Sequence, residues 1–400
     1  MDQYTRWTFR MTPYRVVLIA LTLLMVGVAT YRLLFGLGAA TNLNDEWPWG
    51  LWIGFDVLTG VALAGGGFST CFIIHILHKK KYHSIARAAL LTSLIGYLLV
   101  MGGLFFDIGR WYNFWRPFFY WGHHSVLFEV FWCVSLYTTV QVLEFGHILF
   151  ERIKSEPLKK LFDWMLPGLF IIGVMLPTLH QSSLGSLYII TVDRLYPTWW
   201  SMIIPVFFLT SAVFVGPAMV TFEGWLASKA YGRNFQAEMP VLTSLWKVTA
   251  WLLAFYFVLK CIDLTYRDAW GYVFNGSFEA NMFLVEILGF ILLPLVLFLI
   301  PSVRNSVGGL VTTSILVVVG VVFNRMNVVF TGMADAAGGH YFPSWMEWSL
   351  TIGLISAGIL VYCFVVENFN IFHEDQEAYK AKLKKEKARA VAGGGTPVQA

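Results

Sequence analysis

The chain has 400 residues, of which 57% are hydrophobic and 13% charged, about half the charged fraction of an ordinary soluble domain. A soluble core could not absorb that much apolar surface, so the composition excludes a soluble globular protein and calls for lipid. The formal net charge of +4 says little about partners until it is placed by side of a membrane.

Apolar runs between charged or Pro/Gly/Asn-rich breaks predict ten spans, at 14–36, 48–78, 86–108, 122–149, 164–188, 199–228, 242–264, 281–300, 307–330 and 348–371. Each is about 20 residues or longer, which at ~1.5 Å rise per residue matches a hydrocarbon layer ~30 Å thick. The first has a basic flank but exceeds a signal-peptide apolar segment and lacks a small-residue cleavage site before the next span, so it reads as a retained helix. The expected fold is all-α and polytopic, one transmembrane domain over 1–373. Within it, 48–188 and 199–330 form two four-helix bundles, with 14–36 and 348–371 as flanking helices. The tail, 374–400, is charged and then Ala/Gly-rich, a short cytoplasmic helix or disordered extension.

Of the 28 Lys and Arg residues, 20 fall in the N-terminal segment, every second loop and the tail, and only Arg110, Arg116, Arg194 and Arg267 fall in the other loops. That bias predicts a membrane protein with both termini in the cytoplasm. Trp47, Trp49, Trp111, Trp115, Trp199, Trp200 and Trp345 in the outer loops suit a water–lipid boundary. Cys71, Cys133, Cys261 and Cys363 lie in four different spans, without a CxxC pair or a histidine at ligand spacing. No zinc or iron–sulfur site of the chain's own is therefore expected; each cysteine reads as a small buried hydrophobe.

An ionisable side chain inside a bilayer needs a partner or a task. In the first bundle these residues gather near one level: Asp56 in the second span, Asp107 at the end of the third, Glu129 in the fourth and His180 with Gln181 in the fifth. Arg110 and Tyr112 sit just above, and Tyr97 near mid-depth. The second bundle echoes this, with Asp263 and Arg267 closing the seventh span, Glu286 in the eighth, and Asn324, Arg325 and Asn327 in the ninth, which suggests a parallel repeat. Glu144, His147, His75 and Glu223 make a smaller inner set.

Each has a plain reading. Asp107 with Arg110, and Asp263 with Arg267, could be ion pairs pinning helix ends, and His180 could be a packing histidine. His75, His78, His83 and His147 read as inner-rim residues. The run Gly60–Gly67 is most simply a close helix contact, although a flat ring could also approach it. Glu129 and Glu286 are harder to read as scaffold, because each sits inside an apolar run.

A pocket of acid, histidine and tyrosine reachable from lipid suits a quinone head group, whose reduction moves two protons with two electrons. The expected quinone-binding set is Asp56, Asp107, Arg110, Tyr112, Glu129, His180 and Gln181. Burial would leave Glu129 able to carry a proton near neutral pH. The expected proton route runs through Tyr97, Glu129, Glu144 and Glu223, with Asp263, Glu286 and Arg325 either a parallel route or a structural counterweight. No residue is assigned covalent catalysis, and electrons must arrive from a partner.

Trp49-Gly50-Leu51-Trp52-Ile53-Gly54-Phe55-Asp56, Phe106-Asp107-Ile108-Gly109-Arg110, Ser125-Val126-Leu127-Phe128-Glu129, Leu176-Pro177-Thr178-Leu179-His180-Gln181-Ser182-Ser183-Leu184-Gly185-Ser186-Leu187, Phe222-Glu223-Gly224, Tyr266-Arg267-Asp268 and Tyr341-Phe342-Pro343-Ser344-Trp345 resemble the NrfD/PsrC family, particularly the HybB-type membrane subunits of respiratory nickel–iron hydrogenases. The likeness spans about 30–365, and the His-Gln-Ser-Ser-Leu-Gly-Ser run is its most specific part. It implies a haem-free, ten-helix, quinone-reactive subunit, with menaquinone as substrate and proton translocation as a further expectation. It also implies a ferredoxin-like iron–sulfur partner at the outer face, hydrogenase or multihaem cytochrome subunits beyond it, and no nucleic acid. Two rivals stand beside this reading. A di-haem cytochrome b could pair His123 or His124 with His180 and His75 with His147, and a secondary transporter would also show repeated bundles with mid-span acids.

Overall fold

The computed structural model describes residues 7–76, 79–153, 155–339 and 341–372. His78 and the expected tail at 374–400 lie outside the described residues. Among those described there is helix and no strand.

Ten helices are long and apolar enough to cross a membrane: α1 Pro13–Phe35, α2 Trp52–Ile74, α3 His83–Asp107, α4 Val126–Ile153, α5 Pro157–Ile189, α6 Ile204–Tyr231, α7 Phe235–Tyr266, α8 Phe278–Leu299, α9 Val307–Ala334 and α10 Trp345–Asn368. Several begin where a short polar side chain satisfies the free N–H groups of a first turn. Thr12 caps α1 ahead of Pro13, Ser277 caps α8, Ser306 caps α9, and Ser344 with Glu347 forms a capping box on α10. The spans α5 and α7 start earlier than hydropathy predicts, because their first turns are amphipathic and continue the helix past its apolar run.

Two helices form the centre: 78% of the apolar window of α2 and 72% of that of α6 are buried, against 17% for α1 and α5. The glycines of α2 permit this. A Cβ on Gly65 would lie 2.8 Å from the Ala212 carbonyl oxygen, and one on Gly66 would lie 3.3 Å from that of Gly216. The Gly60–Gly67 run is thus, in its second half, a close crossing of α2 with α6, where small residues let backbones approach. The first and last spans pair: Arg15 of α1 bonds Glu367 of α10 at 2.5 Å, and the backbone N–H of Thr8 donates to Asn368 at 2.9 Å. Both ends of the described chain therefore lie on the same side of the bundle.

Four stretches widen to π-helix, Trp52–Thr59 and Phe72–Ile76 in α2, Val285–Leu292 in α8 and Asn327–Thr331 in α9. Such turns mark functional or strained positions in helices. Each of the four carries a polar residue that hydropathy alone leaves unexplained: Asp56, His75, Glu286 and Asn327.

Candidate functional site

The last residue of α3 is Asp107, and it lines a cavity of about 380 Å³ closed by Trp49, Ile53, Phe128, Leu184 and Tyr188, among others. Leu184 lies one helical turn past His180, so the polar stretch of α5 carries the cavity wall as well. Asp107 Oδ1 has no hydrogen-bond partner among the described residues, which is costly for a buried polar atom. Behind it, Arg32 of α1 is fully buried and donates from Nε to the Phe106 carbonyl at 2.8 Å and from Nη2 to the Ile108 carbonyl at 2.6 Å. Asp56, on its π-turn, is buried but faces elsewhere, accepting from Thr351 Oγ1 of α10 at 2.7 Å. Nearby, outside the spans, Tyr341 donates to Glu347; burial, then that carboxyl, push its phenol above the ordinary range.

Deeper in the bundle His180 is fully buried, with Nε2 2.6 Å from the Tyr97 hydroxyl. The Tyr97 ring meets Tyr137 edge-on, centroids 4.5 Å apart. From Tyr137 the spacing i, i+4, i+7 places Gln141 and Glu144 on one face of α4; Gln141 Nε2 donates to Ser93 at 2.5 Å. Gln181, next in the chain, donates to the Val61 carbonyl at 2.9 Å. Glu144 Oε1 is partnerless among the described residues. It borders a second cavity of about 400 Å³, shared with Thr70, Arg87, Tyr137 and His147. At its rim Arg87 pairs with Glu151 at 2.9 Å, and His147 pairs with Asp163. Glu223 of α6 is half-buried against Thr92 and Tyr362, beside this series.

The expected quinone-binding set is thus divided. Asp107 lines the cavity, His180 and Gln181 lie below it, and Asp56 packs on α10. Arg110 and Tyr112 are exposed and absent from the cavity wall. Glu129 differs most: helix α4 begins at Val126, not at 122, so this residue sits in the first turn. It is exposed there in an open cavity with Trp121, His123, His124 and Trp132. An acid near a helix N-terminus is favoured by the helix dipole, which gives Glu129 a local reason to be there and removes the burial that the apolar run implied. Sequence reasoning missed Tyr137 and the role of Arg32. Tyr137 was findable from its spacing to Gln141 and Glu144, and Arg32 from being a charge in a lipid-facing span.

In the second half the corresponding carboxyls are closed, although Arg325 Nε has no hydrogen-bond partner among the described residues. Asp263 pairs with Arg267 at 2.7 Å and accepts from Ser201 Oγ at 2.5 Å. Glu286 accepts from Trp199 at 2.9 Å, Asn327 at 3.0 Å and Asn324 at 2.7 Å. Arg325 donates to Asn324 at 2.5 Å and Ser211 at 2.7 Å and stacks over Phe208 at 3.7 Å. Lys260, also buried, lies over Phe207 at 4.5 Å. Glu286 is 1% exposed, so its numerical correspondence with Glu129 does not extend to environment.

Of the histidines considered for haem pairing, His180 holds Tyr97, His147 holds Asp163, and His123 and His124 are exposed, while the side chain of His75 lies outside what the structure describes. Among the described residues no three His, Cys, Asp or Glu gather as metal ligands.

Residues 39–337 match the family model described as polysulphide reductase, NrfD. The chain is 34% identical over 362 residues to an Escherichia coli K12 protein named "Probable Ni/Fe-hydrogenase 2 b-type cytochrome subunit", covering 88% of this chain and 92% of that one. It is 28% identical over 384 residues to the menaquinone reductase integral membrane subunit of Nitratidesulfovibrio vulgaris, covering 87% and 89%. To a selenate reductase subunit of Mesobacillus selenatarsenatis the identity is 24% over 400 residues, covering 86% and 90%.

Proposed function

The chain belongs to the polysulphide reductase, NrfD family, and from that premise we propose that it is the quinone-interacting membrane subunit of a multi-subunit respiratory oxidoreductase. The observation that carries the site is the cavity at the end of α3, where a buried carboxyl oxygen of Asp107 meets an apolar, aromatic wall without a partner among the described residues. A lipid-soluble ring with two carbonyls suits such a space, since apolar pockets with few polar groups orient their ligands through those groups. When bound, a quinone supplies an acceptor for two electrons and two protons.

In this reading Asp107 holds or delivers a proton at the quinone oxygen, and His180 with Tyr97 relays protons below it. Tyr137, Gln141 and Glu144 continue the series to the cavity at the Arg87 end, with Glu223 beside it. We assign the route to this half and treat Asp263, Glu286 and Arg325 as scaffold, because both carboxyls are bonded to fixed neighbours and Arg325 is held by Asn324 and Ser211. The Lys and Arg bias supports a cytoplasmic Arg87 end and an outer Asp107 end in the bacterial inner membrane, with both termini inside. An iron–sulfur partner subunit would then dock at the outer loops and bring the electrons, with menaquinone as acceptor. The single transmembrane domain, 1–373, would comprise the bundles 48–188 and 199–330 and two flanking helices.

In the assembled complex, Asp107→Asn should lower quinone reduction by about 10²–10⁴-fold while electron delivery from the partner to an artificial dye persists. Undiminished quinone turnover would overturn the site. A Soret band belonging to this subunit would instead favour the haem-bearing reading.

A further inference from the structure

We propose that Arg32 is the positioning residue for Asp107, a buried cation that fixes where that carboxyl stands and the charge it feels; this rests on the quinone reading above. Helix α1 is otherwise a lipid-facing span, with 17% of its apolar window buried, yet Arg32 is 0% exposed. A guanidinium so fully buried is expensive unless bonded. Its two bonds go to the carbonyls of Phe106 and Ile108, the residues immediately before and after Asp107. These oxygens belong to the end of α3, where carbonyls lack helical partners and the dipole is negative. The cation therefore caps the helix and brackets the carboxylate residue at once. Trp111 adds a second tie, donating from Nε1 to the Leu33 carbonyl at 2.9 Å.

The pair is not closed. Arg32 Nη1 and Asp107 Oδ1 both lack a hydrogen-bond partner among the described residues, whereas Asp263 and Arg267, at the matching end of α7, form a direct ion pair. Arg32 thus acts on Asp107 through space and through the backbone while leaving its oxygen free for a ligand. The other charged and titratable groups near enough to Asp107 to act on it among the described residues are Asp56 of α2, itself bonded to Thr351, Tyr341, and Glu347 of α10, so Arg32 is the one cation in that group.

The test uses the assembled complex and the redox-difference infrared spectrum, in which the Asp107 carboxyl band is the one that Asp107→Asn removes. In Arg32→Gln that band should be displaced, and kcat for quinone reduction should fall at least about tenfold with KM within about threefold. Arg32→Lys keeps the charge, and with it assembly, but cannot bracket both carbonyls; its band should be displaced less and its kcat should recover to within about threefold of the parent. A band at the parent frequency in whichever Arg32 variant assembles overturns the proposal. If Asp107→Asn removes no band and leaves turnover intact, it is the quinone site that fails, not the role of Arg32 alone.

Discussion

The α2–α5 half and the α6–α9 half hold similar inventories of buried acids, amides and aromatics, and they treat Asp107 and Glu144 in the one, Asp263 and Glu286 in the other, in opposite ways. In the second, Glu286 accepts three hydrogen bonds and Asp263 is ion-paired and bonded to Ser201. In the first, Asp107 and Glu144 each leave an oxygen without a partner among the described residues, and each borders a cavity. An acid inside a membrane is a reason to look for function, but its neighbours separate chemistry from scaffold. A satisfied network specifies packing, while an unmet group beside open space awaits a ligand or a proton.

The contrast can be broken by mutation. The largest effect is expected from Glu286→Ala, which strands the side-chain donors of Trp199, Asn324 and Asn327 at a cost on the order of 1–3 kcal/mol each; the yield of folded subunit in the membrane should collapse. Glu144→Gln keeps the shape of an already unpaired group, so thermal stability should hold within about 1 kcal/mol while quinone turnover drops roughly 10- to 100-fold. Equal stability losses in these two variants would erase the distinction between the halves. Tyr97→Phe removes the hydroxyl at His180 Nε2 and should slow turnover by about tenfold, with a net stability change of about 1 kcal/mol. The smallest effect belongs to Glu129→Gln, because an exposed first-turn acid is worth only about 0.3–1 kcal/mol to its helix. Turnover within about twofold of the parent is expected, and a loss as deep as that of Glu144→Gln would return Glu129 to the proton route.

Much of the architecture is legible without coordinates. Ten spans, their order, the glycine-rich crossing in α2 and the two clusters of intramembrane acids all follow from hydropathy and residue type. The site is only partly legible. Asp107, His180, Tyr97 and Glu144 could be named because charge and hydrogen-bonding capacity are rare in lipid. Grouping Asp56, Glu129 and His180 into one pocket required a common level and a common facing direction, and only the level can be counted along a chain. Asp56 turns toward Thr351 and Glu129 toward the surface, and neither direction is encoded in depth.

Hydropathy and charge bias are sums over neighbouring residues, so the order of amino acids is enough to specify an all-helical membrane protein, its ten crossings and the chemical types held inside them. Which way each helix turns about its own axis is set by packing against the others. At 3.6 residues per turn, a helix start four residues later, as in α4, resets both the depth and the face of every side chain near it. It took the packed bundle to expose Glu129, to bring Arg32 across to the end of α3, and to satisfy Asp263 and Glu286 in one half while leaving an oxygen of Asp107 and one of Glu144 open in the other.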